Sequence, residues 1–360
     1  MKIGILGGGQ LGRMLVLAGT PLGLEFRIFE PTKGSPAAGV APTIEASFTD
    51  RAALQTFARE VDVVTYELEH LPVEAAEVIA ELKPVFPPPR ALAWGQDRLR
   101  EKEMFGKLGI PTPRYAAISG EADVATALHH VGVPAVLKTT HLGYDGKGQA
   151  RVKTVNDGIV AWRELGGQPL IAEEFIAFER EVSIIAVRSR DGAVRAYPLV
   201  HNEHARGILI RSDAPAPNLS TALQREAEDY CERVLSELNY VGILTIEFFV
   251  KDGGLVANEM APRVHNSGHW TIEGAVTSQF ENHVRAVAGL PLGSTAVHGE
   301  WTMFNLIGGA PAMAALLEIE GAHFHLYGKT SRPGRKIGHI TVPQSQAQPV
   351  ASLIKNELVP

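Results

Sequence analysis

The sequence predicts a chain of α/β and α+β class, led by a Rossmann-like domain built on a parallel sheet. Three observations predict it. Apolar strand patterns alternate with helical ones through the opening segment. The run Pro87-Pro88-Pro89 then breaks the alternation. Beyond it, longer apolar strands carry acids and lysines within them.

Residues 3–6 read as a short buried strand, 10–18 as a helix and 25–29 as a second strand. Residues 61–65 repeat the strand pattern, and 73–82 the helical one. A βαβ order of this kind places the strands in a parallel sheet under helices. The prolines set the first boundary, giving a domain at 1–96. Residues 97–175 then read as a small α+β unit, compact enough to move as a lid. Its helix is at 97–108 and its strand at 133–138 is interrupted by a glycine-rich turn and resumes at 149–153. A helix at 155–165 and a strand at 170–175 complete it. The third part, 176–360, has strands at 181–187, 243–250 and 255–260 around a helix at 219–238. Shorter strands follow, including 336–342.

With 360 residues the chain exceeds one ordinary core, which agrees with this division. A net charge of -6 argues against a polyanion-binding surface, so nucleic acid is not an expected partner and any anionic ligand must be met by local basic groups. The single cysteine, Cys231, rules out a disulfide within the chain and suits a reducing compartment. The N-terminus lacks the apolar stretch of a secretory signal, and no apolar run is long enough to span a bilayer. The expectation is a cytoplasmic protein with no membrane contact.

Gly7-Gly8-Gly9-Gln10-Leu11-Gly12 follows a strand, opens a helix, and is succeeded by Glu30 at the end of the next strand. This fits the dinucleotide fingerprint, but glycine amides at a helix N-terminus suit any phosphate. A phosphorylated substrate, NAD(P) and a structural turn are all compatible with it. The rest of the chain favours the phosphorylated substrate, because it supplies separate nucleotide machinery. Lys138 ends an apolar strand and can reach a phosphate. Gly143, Tyr144, Asp145, Gly146, Lys147, Gly148 and Gln149 form a glycine-rich hairpin whose amides can wrap phosphate oxygens. Glu173, Glu174, Phe175 and Ile176 sit at a strand end, where backbone groups can hold a base and a carboxylate the ribose. Glu181 opens the next strand. Glu247 and Glu259 lie inside apolar strands joined by a tight turn, so they face a shared cation or buried ion pairs. An ordinary turn or solvated strand-end charges would explain parts of this pattern, but not all of it together.

Lys138, the hairpin, Glu247 and Asn258-Glu259 resemble an ATP-grasp nucleotide site. The string Ala261-Pro262-Arg263-Val264-His265-Asn266-Ser267-Gly268-His269-Trp270 narrows the likeness. So do Gly9-Gln10-Leu11-Gly12-Arg13-Met14 before it and Arg332-Pro333-Gly334-Arg335-Lys336-Ile337-Gly338-His339 after it. Together they are similar to the N5-carboxyaminoimidazole ribonucleotide synthetases, ATP-grasp ligases of purine biosynthesis, over nearly the whole chain. The resemblance implies an ATP-grasp fold behind a pre-ATP-grasp Rossmann-like domain, a homodimer, and a requirement for ATP and Mg2+. It implies carboxylation of 5-aminoimidazole ribonucleotide with bicarbonate, through carboxyphosphate. The implied ATP contacts are Arg98, Lys138, Gly143, Tyr144, Asp145, Gly146, Lys147, Gly148, Gln149, Glu173, Glu174, Phe175, Ile176, Glu181, His204, Asn258 and Glu259, with Glu247 and Glu259 on the metal. The implied ribonucleotide contacts are Gly8, Gln10, Leu11, Glu67, Tyr144, Asp145, Arg263, His265, Asn266, Arg332, Arg335 and Lys336. Tyr144, Asp145, Lys147, Arg263 and His265 would carry the chemistry. Leu142 stands where many members have glycine, which stiffens the hairpin.

Three alternatives stay open at this point. One is another ATP-grasp ligase, either a formate-using ribonucleotide transformylase or a biotin carboxylase. The others are an NAD-dependent oxidoreductase and a catalytically silent nucleotide-binding protein. The pair His265 and His269 is spaced for zinc, but the intervening Asn-Ser-Gly disfavours a regular helix, and substrate contact or structural hydrogen bonding fits better.

Overall fold

The computed structural model describes residues 1–141 and 148–354. Its first sheet contains β1 (Lys2–Leu6), β2 (Glu25–Phe29), β3 (Thr43–Ile44) and β4 (Val63–Tyr66), all parallel, in the order β3-β2-β1-β4. β1 and β4 are buried along almost their whole length, which is why they read as continuous apolar runs rather than alternating ones. The helix Gln10–Gly19 follows β1 and packs against the helix Gln279–Ala288, far along the chain. Leu11, Met14, Leu15, Phe280 and Val284 belong to one buried cluster. His283 extends the seam. Its Nδ1 accepts from the Ile243 amide at 3.1 Å, so the neutral ring carries its proton on Nε2 and donates to Thr65 Oγ1 at 2.8 Å.

The second sheet contains β5 (Tyr115–Ile118), β6 (Ala135–Thr139), β7 (Gln149–Val152) and β8 (Leu170–Glu174), antiparallel in the order β5-β8-β6-β7. The helices Val124–Val131 and Val155–Glu164 join its core. Leu128, Val131, Ala161 and Leu170 are buried together there.

The third sheet is antiparallel and contains nine strands among the described residues. They are β9 (Arg180–Arg188), β10 (Val194–Ala196), β11 (Val200–Ala205), β12 (Ile208–Ala214), β13 (Gly242–Lys251), β14 (Gly254–Ala261), β15 (Trp301–Ile307), β16 (His323–Leu326) and β17 (Lys336–Pro343). The order is β14-β13-β9-β11-β12-β15-β17-β16, with β10 paired to β9. The helix Thr221–Glu237 packs through Ala227, Cys231 and Val234 into one cluster with Ile184 and Leu244 of the sheet, while Gln279–Ala288 belongs to another with Ile185 and Ile243. A parallel sheet followed by two antiparallel ones is the mixed class the sequence predicts. Among the described residues, no helix is long and apolar enough to cross a membrane.

Candidate active site

The N-terminal glycine loop is held differently from its sequence reading. Gly7 makes the turn out of β1 at φ +100°, where a Cβ would meet the Glu67 side chain at 2.7 Å. Gly9 N then donates to Glu67 Oε1 at 2.7 Å and Gly12 N to Glu67 Oε2 at 3.2 Å, while Gly8 N donates to Glu30 Oε2 at 2.8 Å. Buried carboxylates thus take the amides expected to meet a phosphate. These contacts compete with the phosphate expected at the loop, and with a dinucleotide pyrophosphate in particular. Burial pushes the Glu67 carboxyl upward, against the two amide bonds that favour its charge. Glu67, Gln10 and Leu11 line the cleft; Gln10 Oε1 accepts a hydrogen bond from Lys329 Nζ.

Behind Asn258 and Glu259, β6 projects Lys138 towards Glu173 on β8. Lys138 Nζ donates to Glu173 Oε2 at 2.7 Å and to Asn258 Oδ1 at 3.2 Å. Glu173 is 3% exposed and also lies 3.5 Å from Lys102 Nζ. Although burial opposes its charge, Lys102 and Lys138 hold its carboxyl down at about 2. This carboxylate is paired with both lysines. Glu174 turns away to Arg114, at 2.9 Å. Arg151 lies over the Phe175 ring at 3.7 Å from its centroid, and Ile176 is buried. Glu181 Oε2 holds His204 Nδ1 at 2.8 Å. Burial works against the imidazolium of His204, but this bond and the charges of Glu247 and Glu181 move its pKa upward.

Glu247 and Glu259 face each other directly across the β13–β14 hairpin. Their environments separate them. Burial and the nearby Glu259 and Glu181 charges raise the Glu247 carboxyl to about 7, against the pull of His204 and Lys336. Glu259 receives Arg98 Nη1 on Oε2 at 2.8 Å; Arg98 and Lys138 outweigh its burial and bring it to about 2. Two opposed carboxylates, one of them strained by its neighbours' negative charge, fit a hard cation. Mg2+ takes one or two protein carboxylates and fills its shell with water and phosphate oxygens. Among the described residues, the one compact group of three metal-type side chains is elsewhere, at His201, Glu203 and Asp213. There Arg211 and Thr302 already bond to Asp213 Oδ1.

Next along the chain is the segment after β14. Arg263 Nη2 donates to Glu69 Oε2 at 2.5 Å. His265 is clamped through its backbone by Gln279, whose Oε1 accepts from His265 N at 2.9 Å and whose Nε2 donates to His265 O at 2.6 Å. The Ser267 amide donates to His265 Nδ1 at 3.3 Å, so the neutral ring carries its proton on Nε2, 3.4 Å from Glu247 Oε1. Burial keeps His265 well below the ordinary imidazole range. Asn266 and Asn305 exchange reciprocal amide bonds at 3.0 and 2.6 Å. His269 instead packs against His339, with ring centroids 4.8 Å apart, and burial holds it neutral.

Several of these residues line one cleft of about 900 Å³, within the range of small-molecule sites. Arg98, Glu247, Glu259 and His204 line one stretch; Arg263, His265, Asn266, Arg332, Arg335 and Lys336 line another. The sequence reading missed Lys329 and Glu69, which line it too. Lys329 lies in the same short segment as Arg332 and Lys336, a signal that was there to find. Glu69 carried none, since its role is visible only through Arg263. Gly143, Tyr144, Asp145, Gly146 and Lys147, with Leu142, lie outside the described residues; Gly148 precedes β7, and Gln149 opens it opposite Lys138. The arrangement can bind a polyphosphate by cations and acids at one end, and an anionic acceptor by its basic cluster at the other.

Residues 1–96 match the ribonucleotide synthetase preATP-grasp domain, residues 103–280 the ATP-grasp domain, and residues 302–352 the C-terminal domain of phosphoribosylaminoimidazole carboxylase. The chain is 53% identical over 342 residues to an N5-carboxyaminoimidazole ribonucleotide synthase of Pseudomonas aeruginosa, covering 95% of this chain and 94% of that one. The crystal structure of an N5-carboxyaminoimidazole ribonucleotide synthetase from Thermus thermophilus is similar at a TM-score of 0.94, with 52% identity over 98% of each chain. An Aspergillus clavatus N5-carboxyaminoimidazole synthase, crystallised with ADP and 5-aminoimidazole ribonucleotide, is similar at a TM-score of 0.91, with 33% identity over 98% of each chain.

Proposed function

This chain belongs to the N5-carboxyaminoimidazole ribonucleotide synthase family of ATP-grasp ligases, and we propose that it joins bicarbonate to the exocyclic amine of 5-aminoimidazole ribonucleotide, cleaving ATP to ADP and phosphate. One observation carries this reading. A single cleft is lined both by the opposed acids Glu247 and Glu259 with Arg98 and by the basic set Arg263, Lys329, Arg332, Arg335 and Lys336. Nucleotide and acceptor therefore meet in one volume, as an unstable intermediate requires.

Bicarbonate is a poor electrophile. An oxygen of bicarbonate attacks the γ-phosphorus, ADP leaves, and carboxyphosphate forms. The amine nitrogen then attacks the carboxyl carbon, directly or as released CO2, phosphate departs, and the amine loses a proton. Phosphoryl transfer depends chiefly on positioning and charge neutralisation. Arg98 and Lys138 supply cationic charge at the nucleotide end. Mg2+, when held by Glu247 and Glu259, would neutralise charge on the transferring phosphate. Arg263, fixed by Glu69, presents a guanidinium between the two ends, suited to the carboxyphosphate oxygens. His265, neutral and locked by Gln279 and Ser267, offers a fixed donor there rather than a charge. Lys329, Arg332, Arg335 and Lys336 suit the ribonucleotide phosphate.

Further assignments rest on the family. Residues 97–175 act as a lid that excludes water. Glu181 and His204 contact ATP, and Glu174, Phe175 and Ile176 hold its base. The family assigns Gly143, Gly146, Lys147, Gly148 and Gln149 to the ATP phosphates, and Tyr144 and Asp145 to both ATP and the acceptor. The chain works as a homodimer in the cytoplasm. The test is ADP release by the full chain under single omissions. ADP formation requiring bicarbonate, and N5-carboxylated product requiring the ribonucleotide as well, is the expected result. Substitution of formate or biotin for these substrates, or hydride transfer with NAD, would overturn it.

A further inference from the structure

The helix Arg98–Lys107 carries three polar side chains at i, i+3 and i+4, hence on one face: Arg98, Glu101 and Lys102. All three reach consecutive residues of β14. Arg98 Nη1 donates to Glu259 Oε2 at 2.8 Å. Glu101 Oε1 accepts from Met260 N at 2.5 Å. Lys102 Nζ donates to Asn258 O at 2.7 Å and to Ala257 O at 3.3 Å. Glu101 and Lys102 are 2% and 1% exposed, so this is a buried arrangement of charge and not a solvated helix face.

The stretch they hold is irregular. Glu247 pairs with Glu259, but the next residue of β13, Phe248, pairs with Ala257. Asn258 is therefore one extra residue, a bulge in β14. In regular pairing, successive side chains point to opposite faces of a strand. Asn258 would then pair with Phe248 and face away from Glu259, towards the core. The bulge re-aims it. Asn258 Oδ1 now meets Lys138 Nζ at 3.2 Å, while its neighbour Glu259 still faces Glu247 and Arg98. β14 is also a sheet edge, so its outer backbone groups need partners from elsewhere. Apolar cover would leave them unsatisfied. Lys102 satisfies two carbonyls at the bulge and adds a third contact, to Glu173 Oε1 at 3.5 Å. It thereby ties the helix, β8 and β14 together at the point where Arg98, Lys138, Asn258 and Glu259 converge.

We propose that Lys102 is a positioning residue for the metal and phosphate end of the cleft, fixing the β14 bulge that brings Asn258 and Glu259 onto one face. Lys102 touches no substrate and acts through these two residues. The proposal rests on the assignment of Glu247 and Glu259 as the metal-holding pair, and the experiment separates the two.

Calorimetry on the full chain compares binding of a non-hydrolysable ATP analogue with Mg2+ and with EDTA; the ratio of affinities isolates the metal's contribution. Lys102→Met should lower that ratio about ten-fold, the scale seen when a group supporting a metal ligand is removed. The KM for the ribonucleotide should change less than about two-fold, because uniform binding of the acceptor is untouched. Lys102→Arg, which keeps the charge, should recover part of the ratio. Glu259→Gln is the reference and should lower the ratio at least as much. If Lys102→Met leaves the ratio unchanged while Glu259→Gln lowers it, the metal assignment stands and Lys102 is only a structural prop. If neither lowers it, the metal assignment fails and the proposal with it. Should Lys102→Met not fold, Lys102→Gln, with a donor but less reach and no charge, is read by the same titrations against the same outcomes.

Discussion

Replacing Glu173 by glutamine tests the electrostatic frame of the nucleotide end. The carboxylate is 3% exposed, bonded to Lys138 Nζ at 2.7 Å and 3.5 Å from Lys102 Nζ. Burial opposes its charge, yet the two lysines bring its pKa from 4.5 to about 2. At about 1.4 kcal/mol per unit, that depression represents roughly 3 kcal/mol of stability at neutral pH. An independent route gives the same scale: removing one partner of a buried ion pair costs about 3–5 kcal/mol. Because the folded pKa lies below the unfolded one, the contribution is fully present above about pH 4.5. It is lost as pH falls towards 2. The assay is urea unfolding of wild type and Glu173→Gln, followed by tryptophan fluorescence and circular dichroism in parallel. The variant should be less stable by about 3–5 kcal/mol at pH 7, and the gap should narrow by about 2 kcal/mol at pH 3. A gap below about 1 kcal/mol at pH 7, or one that acid leaves unchanged, would refute the reasoning.

Glu259→Gln should lower turnover about 100-fold, the scale of about 3 kcal/mol of lost electrostatic stabilisation, with the fold retained by circular dichroism. Near-normal turnover at saturating Mg2+ would remove it from the metal pair. Gln10→Ala removes a side chain that lines the cleft and bonds Lys329, and should weaken ribonucleotide binding while leaving ATP affinity within about two-fold; calorimetry reads both, and competitive NADH binding at micromolar affinity would restore the dinucleotide reading. His283→Leu leaves Thr65 Oγ1 and the Ile243 amide buried without their partner, so stability should fall by about 2–4 kcal/mol in urea. A loss under about 0.5 kcal/mol would show that this seam contributes little.

Strands with apolar, buried interiors were legible in the sequence. β13 and β14 appeared as apolar runs joined by a short turn, and the acids within them stood out because an apolar strand makes an embedded carboxylate conspicuous. The β11–β12 hairpin did not appear, because its interior is polar. Asn202 Nδ2 donates to Ser183 Oγ at 2.9 Å and Ser212 Oγ to Asn202 Oδ1 at 2.8 Å, replacing the alternation that marks a strand. The glycine loop was seen but its contacts were not. Glu67 lies 58 residues beyond Gly9, and no local pattern tells that its carboxylate fills the helix N-terminus. Glu173 was recognised as a strand-end acid, but its enclosure by Lys102 and Lys138 depends on a helix and a strand brought together only by the fold. The bulge at Asn258 was likewise invisible, since it is a property of pairing and not of one strand.

One cleft that phosphorylates bicarbonate and hands its carboxyl group to the ribonucleotide amine must leave a bicarbonate oxygen on the released phosphate, and oxygen transfer shows whether it does. The full chain is mixed with ATP, the ribonucleotide and freshly dissolved 18O-bicarbonate, quenched before exchange with water, and the inorganic phosphate is examined by mass spectrometry or 31P NMR. If a bicarbonate oxygen attacks the γ-phosphorus, that oxygen stays on phosphorus when the carboxyl group leaves. One 18O is expected in each phosphate released, matched by ADP and N5-carboxylated product. Phosphate carrying no label, while carboxylated product still forms, would contradict it.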